Sequence, residues 1–171
     1  TDYCARCTDF LEAGLPVVDA LRVLGDGLGH KPSEKTPHFG NRFKDDYVNR
    51  DVLLNRLAVK DGRLVLPDGM SYSVLWIPEG TYLDAASRAK IDVLTRAGAR
   101  VVAGGDPTAG LVPDVASPGD ALVWYHRKTA NAEDLYFVAA PDAPVAGTVR
   151  FRGRPVELAL EAGATRVVRL S

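Results

Sequence analysis

The sequence predicts an α/β unit built on a parallel sheet, followed by a small antiparallel β module. Three observations predict it. Strand-length and helix-length patterns alternate from Val17 to Ala103, the order of a parallel sheet covered by helices. The alternation stops in a stretch rich in Gly, Pro and Asp, residues 104–120. From Ala121 the pattern becomes five strand-length runs, each closed by a turn. The expected organisation is an α/β domain over 1–104, a linker over 105–120 and a β module over 121–171.

Each element has a local reason. Residues 2–13 read as a helix, because Tyr3, Cys7, Phe10 and Leu11 fall on one stripe and Gly14 and Pro16 stop it. Val17 to Leu24 is a short apolar run bounded by Gly25, a buried strand interrupted by Asp19 and Arg22. Residues 25–46 form a long polar loop. It follows a strand, so in a parallel sheet it leaves from the carboxyl edge, where such folds place ligands. Asn49 to Leu57 reads as a helix. Short strands at 57–60 and 63–66 flank Asp61-Gly62, a dipeptide suited to the two positive φ values of a type I′ turn. Ser73 to Ile77 is the central strand. Thr81 and Asp84 have capping-box spacing, a helix runs from about Leu83 to Ala97, and Gly98 stands at its C′ position. Arg100 to Ala103 is the next strand. The later runs are 122–129, 133–140, 145–152, 155–160 and 165–170.

Composition narrows the function. The chain has 171 residues, 46 % apolar and 25 % charged, an ordinary globular make-up. Lys plus Arg is 21 against 22 for Asp plus Glu, so there is no positive excess for binding nucleic acid. No apolar run approaches a membrane span, and no signal segment opens the chain. The chain starts at Thr1 in a helical pattern, which reads as a piece of a longer polypeptide. Localisation is not legible in this chain, and an exported or periplasmic parent is compatible with it.

Four constellations could carry chemistry. Cys4-x-x-Cys7 lies inside the first helix with no strand before it, so two buried thiols are expected rather than a redox pair. Gly25, Gly27 and Gly29 match neither a dinucleotide fingerprint nor a phosphate loop, and no cofactor is expected. The long loop holds the substrate-side candidates Asp26, His30, His38, Asp45 and Asp46, with Glu34 among its acids. Glycoside hydrolysis needs two carboxyl groups across one bond, and adjacent Asp45 and Asp46 point in different directions. The two histidines have no third ligand, so no metal is expected. His126-Arg127-Lys128 reads as a charged edge strand or a domain contact, with His126 and Lys128 on one face. The turn after the central strand, Pro78-Glu79-Gly80-Thr81, has no Cys or Ser where an amidotransferase-type nucleophile would stand.

An ordered set of segments resembles the region after the catalytic barrel in family 106 glycoside hydrolases, the α-L-rhamnosidase-like enzymes. These are Tyr3-Cys4-Ala5-Arg6-Cys7 through Gly14-Leu15-Pro16-Val17-Val18-Asp19, then 46–54, then Asp61-Gly62-Arg63-Leu64-Val65-Leu66-Pro67-Asp68-Gly69-Met70-Ser71-Tyr72 with Val74-Leu75 and Ile77-Pro78. Trp124-Tyr125-His126-Arg127 and 135–139 continue the likeness. The resemblance implies a flavodoxin-like or class I glutamine amidotransferase-like parallel-sheet domain, similar to the trimerisation domain of family 42 β-galactosidases, and then a sandwich-like β module. It also implies that the catalytic carboxylates and the family's calcium belong to a barrel N-terminal to Thr1. The segment between Gly104 and the His-Arg strand is shorter here than in the family.

The expected function follows. The chain is a non-catalytic accessory region of a glycoside hydrolase. It buttresses the catalytic barrel of the same parent polypeptide and lends loop 25–46 to the substrate cleft. The alternative is a glycan-binding or oligomerisation module, with Trp124, Tyr125, Tyr136 and Phe137 as the aromatic candidates for carbohydrate. Neither nucleic acid nor membrane is an expected partner.

Overall fold

The computed structural model describes residues 2–27 and 40–171. His30, His38, Glu34 and Gly29 lie outside the described residues. In chain order the elements are α1 (Asp2–Glu12), β1 (Leu15–Pro16), β2 (Ala20–Val23), a 3₁₀ turn (Gly40–Arg42), β3 (Asp45–Val48), α2 (Arg50–Asn55), β4 (Ala58–Lys60), β5 (Arg63–Val65), β6 (Ser71–Tyr72), β7 (Val74–Ile77), α3 (Ala85–Arg96), β8 (Val101–Ala103), β9 (Val115–Ala116), a second 3₁₀ turn (Pro118–Asp120), β10 (Val123–Lys128), β11 (Asp134–Ala139), β12 (Val145–Phe151), β13 (Arg154–Leu160) and β14 (Thr165–Leu170).

These form two compact units. One comprises Thr1–Val17, Gly40–Arg42 and Val112–Ser171; the other comprises Val18–Phe39 and Phe43–Leu111.

The second unit carries a four-stranded parallel sheet in the order β3-β2-β7-β8 and an antiparallel sheet β4-β5-β6. Strand β2 is central, and all four of its residues are buried. Leu21, Val23, Val48 and Leu75 from the parallel sheet join Leu53, Leu57, Leu64, Ile91 and Leu94 in one core. Each such side chain stabilises by roughly 1.5–3 kcal/mol when fully buried. Asp61 (φ +52°) and Gly62 (φ +73°) make the turn between β4 and β5, with both residues at the positive φ expected of them. Helix α3 starts three residues later than a cap at Thr81 would give. Asp84 is its N-cap and accepts from the Ser87 backbone N–H at 2.8 Å, while Thr81 Oγ1 donates to Pro78 O within the preceding turn.

The first unit is a β-sandwich. One sheet has the order β1-β10-β11-β14 and the other β13-β12-β9, all pairings antiparallel. Inward residues alternate along each strand. Trp124, Tyr136, Val138 and Val168 meet Val115, Val149, Phe151 and Leu158 between the sheets. On the outer face of the first sheet, α1 places Phe10 against Phe137, with ring centroids 5.7 Å apart.

This architecture corrects the expected fold class. The chain is not a flavodoxin-like or amidotransferase-like parallel-sheet domain with a small appendix. Three of the four sheets among the described residues are antiparallel, and the sandwich is the larger β assembly. A doubly wound fold needs a helix on every crossover. Here the passage from β3 to β7 consists of the six-residue α2 and the β4-β5-β6 meander, so a single long helix, α3, serves the four parallel strands. Helix α1 and β1, expected to open the α/β unit, belong to the sandwich: Leu15 pairs with Lys128. The thiols also differ from expectation. Cys4 is exposed and Cys7 half-buried, while Phe10 of the same helix is buried.

Candidate functional site

The substrate-side acids bracket the long loop, so their positions decide what it can do. Asp26 lies three residues beyond the end of β2. Its backbone N–H donates to Tyr82 O at 2.9 Å, and its Oδ2 accepts the Asp84 N–H at 2.8 Å. Arg50, the first residue of α2, donates through Nη2 to Asp84 Oδ2 at 2.7 Å, and its Nε stands 3.8 Å from Asp26 Oδ1. Asn49 caps α2 by accepting from Val52 N at 2.9 Å. Thus Asp26, Arg50 and Asp84 gather at the carboxyl edge of the parallel sheet, where α2 and α3 begin. The Ser87 backbone N–H and the Arg50 guanidinium hold the Asp84 carboxyl below its ordinary value.

Asp45 opens β3, level with Ala20. It therefore sits at the amino edge, some 10 Å along the sheet from the end of β3 at about 3.3 Å per residue. Its Oδ2 pairs with Arg22 Nη2 at 2.8 Å. The same guanidinium carbon lies 4.6 Å from the Trp76 ring centroid and 5.1 Å from that of Tyr47. Residues 22, 45, 47 and 76 share one face because β2, β3 and β7 are in parallel register. Asp46 is turned to the other face, where it accepts the Tyr72 hydroxyl at 3.0 Å. Burial, reinforced by the Asp46 charge, pushes the Tyr72 phenol far above its ordinary range, so it remains a donor.

The three described acids of the loop thus occupy three places: the carboxyl edge, one face at the amino edge, and the opposite face. They do not converge on one bond. Among the described residues no three His, Cys, Asp or Glu side chains gather to hold a metal, and no helix is long and apolar enough to cross a membrane.

The sandwich holds a polar cluster that the sequence did not announce. Asp114 is fully buried, and its Oδ2 stands 3.0 Å from His126 Nδ1. Asp134 Oδ1 is 3.0 Å from His126 Nε2. The Tyr136 hydroxyl donates to Asp114 Oδ1 at 2.9 Å, and Arg152 Nε lies 3.2 Å from the same oxygen. His126 also stacks on Tyr136 at 3.9 Å. Burial, and then the Asp114 charge, keeps the Tyr136 phenol protonated. Both ring nitrogens of His126 are thus occupied by carboxylate oxygens, and the residue is 4 % exposed. His126 is therefore a core residue rather than part of a charged edge. The period-2 link to buried Trp124 was the available signal; Asp114, inside an expected linker, gave none. Of the four aromatic candidates for carbohydrate, Trp124 and Tyr136 are in the core, Phe137 is half-buried under α1, and Tyr125 is exposed.

Comparison with known proteins completes this description. The glycoside hydrolase 106 family, described as alpha-L-rhamnosidase, matches residues 1–111. The chain belongs to that family. It is 30 % identical over 105 residues to a "Putative beta-glucuronidase" of Formosa agariphila, a match covering 59 % of this chain and 9 % of that protein. A solved rhamnosidase structure from Novosphingobium sp. PP1Y superimposes with a TM-score of 0.77 at 17 % identity, over 98 % of this chain and 24 % of that one. At that identity the structure shows a shared fold. The family 106 chain described here spans about a tenth and about a quarter of the lengths of these two proteins.

Proposed function

We propose that this chain is a non-catalytic accessory region of an α-L-rhamnosidase-like glycoside hydrolase. It supports the catalytic barrel of the parent polypeptide and holds loop 25–46 towards the substrate cleft. The observation that carries the reading is the dispersal of Asp26, Asp45 and Asp46. Retaining and inverting glycosidases need two carboxyl groups about 5 Å or about 6.5–9.5 Å apart across one bond. Each of these three acids is instead bound into a separate structural contact. Family membership, and a matching fold inside a chain four times longer, support the parent's class.

The loop's role follows from its anchors. Asp26 ties its start to the N-cap of α3, and Asp45 with Asp46 ties its end to both faces of the sheet. The loop therefore starts at the carboxyl edge, the side on which open parallel sheets carry ligands. The test is an aryl α-L-rhamnoside hydrolysis assay on the purified 171-residue chain. No turnover above the uncatalysed rate is expected, and turnover abolished by Asp→Asn substitution within this chain overturns the reading.

A further inference from the structure

The outer face of the sandwich carries a cleft that the accessory role does not use. It lies beside α1 and has a volume of about 310 Å3, the lower end of the range for small-molecule sites. Its origin is local. Leu135 on β11 is level with Arg169 on β14, and Val167 follows two residues earlier on the same face. Helix α1 leans over that face on Phe10, and Ala13 is too small to close the gap beneath its last turn.

We infer that this cleft binds a neutral pyranoside, the end of an α-L-rhamnosyl chain. The sugar identity rests on the family reading above; the chemical class rests on the lining. Phe10, Ala13, Leu135 and Val167 form an apolar floor that suits the C–H face and deoxy methyl of such a ring. The rim consists of one carboxylate, Asp9, one guanidinium, Arg169, and the Thr129 hydroxyl. An anion meets Asp9 and finds the Arg169 charge shared with Glu133, while a cation meets Arg169 at the rim. A hydroxylated neutral ring uses both, because ionised acceptors and donors make the stronger hydrogen bonds to hydroxyls. Arg169 is partly positioned already, with Nη1 3.4 Å from Glu133 Oε2. A wholly apolar ligand would leave the rim groups without water or partner, at a cost.

The experiment is an amide chemical-shift titration of the 171-residue chain with methyl α-L-rhamnopyranoside, and with a methyl glucuronide as the charged comparison. Saturable shifts are expected at Asp9, Ala13, Thr129, Leu135 and Arg169, with weaker binding of the glucuronide. Asp9→Asn and Arg169→Gln, both exposed positions, should each weaken binding about tenfold. Ala13→Leu fills the cleft without touching a charge and should abolish the shifts. Absence of saturable shifts, rim variants that bind as tightly as the unsubstituted chain, or unaltered binding by Ala13→Leu overturns the site. Hydrolysis of the rhamnoside in the same tube overturns the accessory reading instead, so the two failures are distinguishable.

Discussion

Asp45 and Asp46 are neighbours in the chain and serve opposite faces of the same sheet. Asp45 meets the buried Arg22 guanidinium at 2.8 Å, while Asp46 accepts the Tyr72 hydroxyl at 3.0 Å. The strand period of two makes them structurally independent. Their removal should therefore have unequal costs. Asp45→Ala withdraws the carboxylate from a buried cation and should destabilise by about 3 kcal/mol. Asp46→Ala leaves one buried hydroxyl without its acceptor and should cost about 1–2 kcal/mol. Urea denaturation of the two variants and of the double variant checks this. The double variant should show near-additive losses.

Asp114 is the centre of the sandwich's polar cluster. Asp114→Ala leaves His126, Tyr136 and Arg152 without a shared carboxylate and should cost about 3–5 kcal/mol. Tyr136→Phe removes one hydrogen bond and should cost about 1 kcal/mol. In a double-mutant cycle the two should couple, because the phenol's partner is already gone in Asp114→Ala. Independent effects would mean that the Tyr136 hydroxyl has another acceptor.

Gly14 stands at a close approach of two strands. Its φ is +59°, and a Cβ there would lie 2.0 Å from the Lys128 carbonyl oxygen. Gly163 has a similar φ of +78° with open space around it. Gly163→Ala should therefore cost about 1 kcal/mol, the conformational penalty alone. Gly14→Ala must also displace backbone, and its melting temperature should fall by clearly more. Equal shifts would place the β1–β10 contact elsewhere.

Asp84 links α3 to pH. Its carboxyl is held below the ordinary carboxylate value by the Ser87 N–H and by Arg50. A folded-state value below the unfolded one stabilises the fold fully above the unfolded value, near pH 4. That contribution is lost as pH falls through the lower, folded value. Asp84→Asn keeps a capping oxygen and removes the charge, so the acid limb of the stability profile should flatten while the α3 helical signal remains. A circular-dichroism acid titration of both proteins checks the sign.

Local elements were legible in this sequence where one residue type had one physical use. Asp61-Gly62 specified its turn, Gly98 its helix end, and the runs after Ala121 became strands β10–β14. The architecture was not legible. Strand β3 is four residues long and begins with two acids, so its alternation was hidden inside an expected loop. Helix α1 looks the same whether it covers a parallel sheet or an antiparallel one. Its true partner, Phe137, is specified only by long-range packing. Among the candidate site residues, the chain order already separated Asp45 from Asp46. The strand before the loop placed Asp26 at the carboxyl edge, but Asp45 could not be placed at the amino edge, because that required the parallel register of β2 with β3.

The pairing of β1 with β10 has a consequence for synthesis. Gly14 and Arg127, which bond beside it, are 113 residues apart. During translation the first strand emerges long before its neighbour exists, and the intervening Val18–Leu111 stretch can collapse on its own core meanwhile. Closing so wide a span adds little thermodynamic burden, since each doubling of the loop costs only about 0.6 kcal/mol. It does set the sequence of events: β1 must wait unpaired until β10 has been made, and any chaperone dependence of this region should include that strand.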